Sequence, residues 1–272
     1  MINFTILRRY GSSWHANRLM LTLDEYEQLN PRCEITRDGV NIVFATPTSF
    51  TKWRVDSLFE KEPITIAWIA GFRTGDVLVD VGANVGMYTI WAAKTRGVRV
   101  YAFEPEAQNY ALLNRNIALN RLGPMVKAYC LALSNEAGYS ELHITDLRIG
   151  GSCHSLGERV DFKHEPINPV FSQGCIAARL DNLVDSGVVP PPDHIKIDVD
   201  GFEPKVIAGA SHVLRAHKVQ TLLIEVNQNL PDHMQMVGEL TALGFSYDQS
   251  QVAAAERKSG AFKGVAEYVF RR

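Results

Sequence analysis

Between residues 77 and 226, apolar runs of strand length alternate with amphipathic helical stretches, which restricts the chain to few folds. Residues 77–81, 98–103, 125–133, 194–199 and 221–226 read as strands, and 87–95, 106–120 and 204–214 as helices. The last helix has Pro204 in its first turn, where a missing N–H costs little. Its buried face is marked by Val206, Ile207, Ala210, Val213 and Leu214. Such alternation implies an α/β, doubly wound, mostly parallel sheet covered by helices on both faces. The C-terminal end departs from it. After a helix at 232–243, short strands at 245–248 and 268–270 flank a stretch without clear helical periodicity. An antiparallel hairpin at one sheet edge accounts for this, because mixed sheets often carry one.

The 272 residues fit one large domain or two small ones, at roughly 100–200 residues each. The first 56 differ from the rest. Asp38-Gly39 lies between two β-prone runs, and a two-residue turn with positive φ at both positions makes a hairpin there. Residues 1–56 are therefore expected to form an N-terminal extension with a β-hairpin, too small for a substantial core of its own. A helix is expected over 56–71, and residues 57–272 form the α/β domain. Residues 139–144 read as an extra strand. The stretch 145–175, with Gly150-Gly151, Pro166 and Pro169, lacks periodicity and reads as an insertion.

With 46% hydrophobic and 21% charged residues, the chain is neither disordered nor fibrous in character. A net charge of −2 offers no attraction to nucleic acid or an anionic membrane surface. No apolar run approaches the roughly 18 residues of a membrane span, and none marks a secretory signal. A cytoplasmic location is expected, and homo-oligomer formation stays open. Cys33, Cys130, Cys153 and Cys175 include no CxxC pair, so a thiolate zinc site has no support and packed, reduced thiols are expected.

The densest chemical signal is Asp80-Val81-Gly82-Ala83-Asn84-Val85-Gly86, at the end of the first sheet strand. Glycines let the backbone turn tightly and approach a ligand, and the next helix begins with unpaired N–H groups. This is the nucleotide-binding corner of a doubly wound sheet. A dinucleotide fold wants G-x-G-x-x-G, whereas here Asn84 stands near the middle position and an acid precedes the first glycine. That acid disfavours a pyrophosphate and suits a cationic or zwitterionic ligand, S-adenosylmethionine rather than NAD. Glu104 ends the second strand, where an acid can accept hydrogen bonds from ribose hydroxyls. In Ile195-Lys196-Ile197-Asp198-Val199-Asp200, the period of two puts three charges on one face of a strand that should be nearly all apolar. A self-compensating ion pair or a site at the sheet's carboxyl edge explains them.

These segments, with Phe103-Glu104-Pro105, Arg179-Leu180-Asp181-Asn182-Leu183 and the continuation Gly201-Phe202-Glu203, occur in an order that resembles the FkbM-type family of S-adenosylmethionine-dependent methyltransferases. The resemblance covers residues 57–230 or so. It implies a seven-stranded methyltransferase sheet with an antiparallel last strand. It also implies that Asp80, Gly82, Asn84 and Gly86 contact the methionine half of S-adenosylmethionine, that Glu104 holds the ribose, and that Leu131 and Ala132 lie near the adenine. Asp200 departs from the family, which often has Glu there. The family's acceptors imply O-methylation of a hydroxyl on a small molecule, a sugar or a natural-product scaffold.

Methyl transfer to a hydroxyl gains from a general base. Asp198 is the first candidate, tuned by Lys196, and His154 the second, on an insertion that could wall the acceptor side. A divalent metal on Asp198, Asp200 and Glu203 is the alternative arrangement, because hard cations take carboxylates. Among the tryptophans, Trp68 and Trp91 fall on apolar faces, while Trp14 and Trp53 are left to stack on a sugar ring. Lys52-Trp53-Arg54 is the expected rim. A nicotinamide-dependent oxidoreductase and a non-catalytic S-adenosylmethionine binder are the competing readings.

Overall fold

The computed structural model describes the backbone of residues 2–10, 13–216 and 218–272, with side chains from residue 21 onward except at 217. The side chain of Trp14 therefore lies outside the described residues. Strands β1 (Ile2–Tyr10) and β2 (Ser13–Leu21) pair antiparallel and lead into helix α1 (Leu23–Gln28). Strands β3 (Arg32–Arg37) and β4 (Val40–Ala45) form the expected hairpin, with Asp38 at φ 51° and Gly39 at φ 76°. Of the helix expected over 56–71 only α3 (Pro63–Ala70) forms; a second helix, α2 (Ser49–Asp56), ends where that span was to begin. Pro63 has no N–H to give to a preceding turn, so it starts a helix rather than continuing one.

The α/β alternation follows: β5 (Val77–Val81), α4 (Met87–Arg96), β6 (Arg99–Phe103), α5 (Ala107–Leu119) and β7 (Val126–Tyr129). The expected strand over 125–133 divides here. Its end, β8 (Ala132–Leu133), joins a separate sheet with β9 (Gly138–Ile144), β10 (Ser155–Leu156) and β11 (Phe171–Ala178). The stretch without periodicity thus runs into a strand, β11, that pairs along β9. Beyond it come α6 (Leu180–Asp185), β12 (His194–Ile197), α7 (Glu203–Ala208), α8 (Ser211–Arg215), β13 (Thr221–Asn227) and α9 (Pro231–Ala242). The chain closes with β14 (Ser246–Tyr247), a short α10 (Gln249–Ala255) and β15 (Val265–Arg271). Helix α10 lies where no periodicity was legible.

The central sheet has seven strands in the order β14-β15-β13-β12-β5-β6-β7. Strands β13, β12, β5, β6 and β7 run parallel, and β15 inserts antiparallel between β13 and β14. One sheet face packs Leu78, Val100, Ala102 and Val126 with α3, α4 and α5; the other packs Val79, Val81, Ile195 and Ile197 with α7, α8 and α9. No described helix is long and apolar enough to cross a membrane.

The hairpin is anchored to the first face by two asparagines. Asn116 Oδ1 accepts from the Ala45 N–H at 2.9 Å, and its Nδ2 donates to the Val85 carbonyl at 2.8 Å. Asn120 does the same for both polar groups of Val43. These side chains meet the free edge of β4 as a neighbouring strand would, so its buried polar groups keep partners. Ile42, Phe44 and Ala45 then close over α5. Asn116→Ala orphans a buried N–H and a buried carbonyl, at about 1–3 kcal/mol for such a group. Urea unfolding is expected to show a loss of about 2 kcal/mol or more.

A candidate methyl-transfer cavity

At the carboxyl edge of the sheet lies a cavity of about 380 Å³. Its floor is the loop after β5. Gly82 has φ 79°, and a Cβ there would stand 1.9 Å from the Asp198 carbonyl oxygen, so only glycine fits. Asn84, also left-handed at φ 49°, follows, and Gly86 caps α4 at φ 86°, its α-carbon facing Leu113 too closely for a side chain. Gly82 and Asn84 line the cavity; Gly86 does not, and serves the packing of α4 on α5.

Glu104 lines one end and is 5% exposed. Its carboxylate accepts from the Asn84 N–H at 2.7 Å and the Glu106 N–H at 2.9 Å. Burial pushes it up to about 7, against the pull of those amides. Leu131 and Ala132 line the same cavity, with Phe103 and Pro105.

The roof comes from the insertion. Asn84 Nδ2 and Asn109 Nδ2 both donate to the Gly151 carbonyl, at 2.7 and 3.1 Å, while Gly150 N–H donates to Asn109 Oδ1 at 2.7 Å. Arg54 Nε donates to the Gly150 carbonyl at 2.6 Å. Asn109 was invisible in the sequence, because a lone asparagine in a helix carries no pattern. His154 lines the cavity under this roof. Its Nδ1 faces the Thr145 N–H at 3.4 Å, and its Nε2 is buried without a partner among the described residues. Burial lowers its basicity, so the ring is neutral near pH 7.

At the far end, Lys196 donates to Asp198 Oδ2 at 2.9 Å. Asp198 lines the cavity, whereas Lys196 is 2% exposed beneath it. Burial works to raise Asp198, but Lys196 and Lys61 outweigh it and hold the carboxyl below its usual range. Burial works to lower Lys196, and the carboxylates of Asp198, Asp80 and Glu62 more than reverse it.

Asp80 does not line the cavity. It is 1% exposed, accepts from Thr89 Oγ1 and leaves Oδ1 without a partner among the described residues. Burial raises it, partly offset by Lys196. Period-two geometry explains the placement: Asp80 shares a sheet face with Leu78, under α4.

The expected acid set of Asp198, Asp200 and Glu203 is corrected. Glu203 turns inward and accepts from the Val199 and Gly201 N–H groups at 2.8 and 3.1 Å, fixing the turn before α7. Glu225 replaces it: oxygens of Asp198, Asp200 and Glu225 lie within 4.8 Å of one another. Glu225 was legible, since it interrupts the apolar run of β13. Each carboxylate already has a protein donor. Lys196 serves Asp198, the Cys153 N–H serves Asp200 at 2.7 Å, and Arg257 serves Glu225 at 2.7 Å. Burial raises both Asp200 and Glu225, and the Asp198 charge adds to it.

Asp181 is structural. It accepts from the His212 and Val213 N–H groups at the start of α8 and from Arg179. Trp68 and Trp91 are core residues, whereas Trp53 lines the cavity mouth, 46% exposed and stacked on Phe50.

The methyltransferase FkbM domain matches residues 80–247. The hexuronic acid methyltransferase AglP of Haloferax volcanii is 26% identical over 179 residues, 64% of this chain and 66% of that protein. The 31-O-demethyl-FK506 methyltransferase FkbM of Streptomyces tacrolimicus is 28% identical over 213 residues, 67% of this chain and 81% of that one. Among solved structures, the precorrin-6y C5,15-methyltransferase of Geobacter metallireducens aligns with a TM-score of 0.45 at 12% identity, covering 84% of this chain and 93% of that one. The match to the domain runs from Asp80 on β5 to Tyr247 on β14, taking in the cavity floor, Glu104, the roof and Asp198. The chain belongs to the FkbM-type family of S-adenosylmethionine-dependent methyltransferases.

Proposed function

We propose that the chain transfers the methyl group of S-adenosylmethionine to a hydroxyl of a sugar or sugar-bearing small molecule. One observation carries this reading: a single cavity has a ribose-accepting carboxylate, Glu104, at one end and an ionised Asp198 at the other, across the Gly82 loop. The hexuronic acid and FK506 relatives support a hydroxyl-bearing acceptor. The methyltransferase family does not favour an oxidoreductase.

Glu104 takes the ribose hydroxyls, and Leu131, Ala132 and Pro105 border the base. The sulfonium supplies a good leaving group, so the protein's part is approach geometry and exclusion of water. The acceptor enters past Trp53, which is exposed and stacked on Phe50 and whose ring suits the apolar side of a sugar. As the new carbon–oxygen bond forms and the carbon–sulfur bond breaks, Asp198 takes the hydroxyl proton. Asp200 and Glu225, both raised, keep the cluster from carrying three full charges. With Nδ1 accepting from Thr145, the ring proton of His154 sits on Nε2, which makes His154 a donor to the acceptor molecule rather than its base. The donors already seated on Asp198, Asp200 and Glu225 support proton handling over a metal centre.

Incubation with S-adenosylmethionine and a panel of uronic acids, neutral sugars and macrolide alcohols, read by mass spectrometry, is expected to give a singly methylated product, with or without chelator. Tight cofactor binding with no product across the panel would favour a non-catalytic binder. Asp198→Asn is expected to lower kcat by about 10²–10⁴-fold, the range of general-base catalysis, with S-adenosylhomocysteine affinity within twofold of the parent. Glu104 also sets a pH dependence. Ribose hydroxyls prefer the ionised carboxylate, so binding is favoured above a pKa of about 7 and lost as pH falls through it. The Kd for S-adenosylhomocysteine is expected to rise about tenfold from pH 8 to pH 6, and this slope is expected to vanish in Glu104→Gln.

A further inference from the structure

The acceptor end of the cavity carries an arginine that the transfer step does not use. Arg257 follows α10; its N–H donates to the Val265 carbonyl and its carbonyl accepts from the Gly264 N–H, each at 2.9 Å, closing a loop that holds Phe262. Arg257 and Phe262 both line the cavity, and both lie beyond residues 80–247 of the domain match. Two neighbours fix the guanidinium. Its Nη2 donates to Glu225 Oε1 at 2.7 Å. It also stands over the Phe262 ring, 5.1 Å from the centroid, and Phe262 stacks in turn on Phe162 of the insertion at 4.3 Å. The Arg257 side chain is 31% exposed, and its remaining N–H donors have no protein partner among the described residues.

The cavity as a whole carries an excess of positive charge. Among the described residues, Arg54, Lys61, Lys205 and Arg257 line it, against Glu104, Asp198, Asp200 and Glu225. Burial raises Glu104, Asp200 and Glu225, and Asp198 alone of the four is held below its usual range. A bound sulfonium adds to the excess, which favours an acceptor that brings a negative charge. Glu225 accepts from Arg257 with or without its own proton, because the carbonyl oxygen of a neutral carboxyl is still an acceptor. Lys61 and Lys205 already pair with Glu62 and Glu158. Arg257 stands one carboxyl away from Asp198, since oxygens of Glu225 and Asp198 lie within 4.8 Å. The fork of guanidinium N–H groups matches the two oxygens of a carboxylate. We infer that Arg257 holds a carboxylate of the acceptor while a hydroxyl of the same molecule meets Asp198, so that the substrate is an acidic sugar of the uronic type. This inference rests on the proposed methyl transfer to a hydroxyl and narrows its acceptor. The methyl group goes to the hydroxyl oxygen, and the carboxylate stays on Arg257 without being esterified.

The test compares methyl transfer to p-nitrophenyl glucuronide and to p-nitrophenyl glucoside, which carry a carboxylate and a hydroxymethyl group at the same carbon. The parent protein is expected to favour the glucuronide at least tenfold in kcat/KM, most of it in KM. The product is expected to be an ether, which keeps its methyl group in dilute alkali. Arg257→Gln is expected to bring the two acceptors within threefold of each other. Arg257→Lys, which keeps a charge without the fork, is expected to hold an intermediate preference. S-adenosylhomocysteine affinity within twofold of the parent, read by calorimetry, reports that each variant is folded. A parent protein indifferent to the carboxylate, a preference that survives Arg257→Gln, or an alkali-labile methyl ester would overturn the inference. Methylation of neither glycoside would instead overturn the sugar-hydroxyl reading on which it rests.

Discussion

Everything at this site depends on how closely two backbone segments pass. The loop after β5 runs against the end of β12 so tightly that a Cβ on Gly82 would stand 1.9 Å from the Asp198 carbonyl. No side chain can intervene, so the loop lies flat against β12, and its Gly82 and Ala83 N–H groups both donate to the Phe103 carbonyl at 3.0 Å. The Asn84 N–H then reaches Glu104 on the next strand, and the Asn84 side chain reaches the Gly151 carbonyl in the roof. Floor, Glu104 and roof are thereby fixed relative to Asp198 by one steric condition. Parallel strands end in register, and their carboxyl edge is where such loops converge.

Beneath the floor runs a seam of charge on the face that also buries Leu78 and Leu223. Lys196 pairs in register with Asp80 and lies between Asp80 and Asp198, while Glu225 pairs in register with Glu267. Buried charges in a sheet core cost more than most contacts return, unless they compensate each other. Here compensation is uneven. Lys196 holds Asp198 ionised, whereas burial raises Asp80, Asp200 and Glu225. That unevenness is what a site for proton transfer needs, since neighbouring carboxyls in different states can divide the roles of base and neutral partner.

Much of this was legible in the chain itself. The strand–helix alternation, the Asp38-Gly39 turn, the glycine loop and Glu104 each carry a local physical reason that survives any tertiary context. The antiparallel edge was readable from the broken alternation after residue 243. The misreadings have identifiable causes. The third strand looked continuous because β7 and β8 are adjacent in sequence, yet they serve different sheets. Glu203 looked like a ligand from spacing alone, but the turn at Gly201 uses its carboxylate to satisfy two backbone amides. Asp80 sits in the motif yet faces away from the cavity, because strand parity sends it under α4. Asn109 reaches the cavity from a segment far from Lys61 in the chain, and no periodicity announces such convergence. Glu225 was the exception, an acid within an apolar strand that sequence reading could have flagged.

The account stands on the nucleoside lying across the Gly82 loop with its ribose at Glu104 and its sulfur toward Asp198. A crystal structure with S-adenosylhomocysteine measures this directly. The account predicts ribose oxygens within about 2.5–3.2 Å of Glu104 and the sulfur opening onto the space beside Asp198 and Trp53. A nucleoside bound outside this cavity, or one whose sulfur faces away from Asp198, would contradict it.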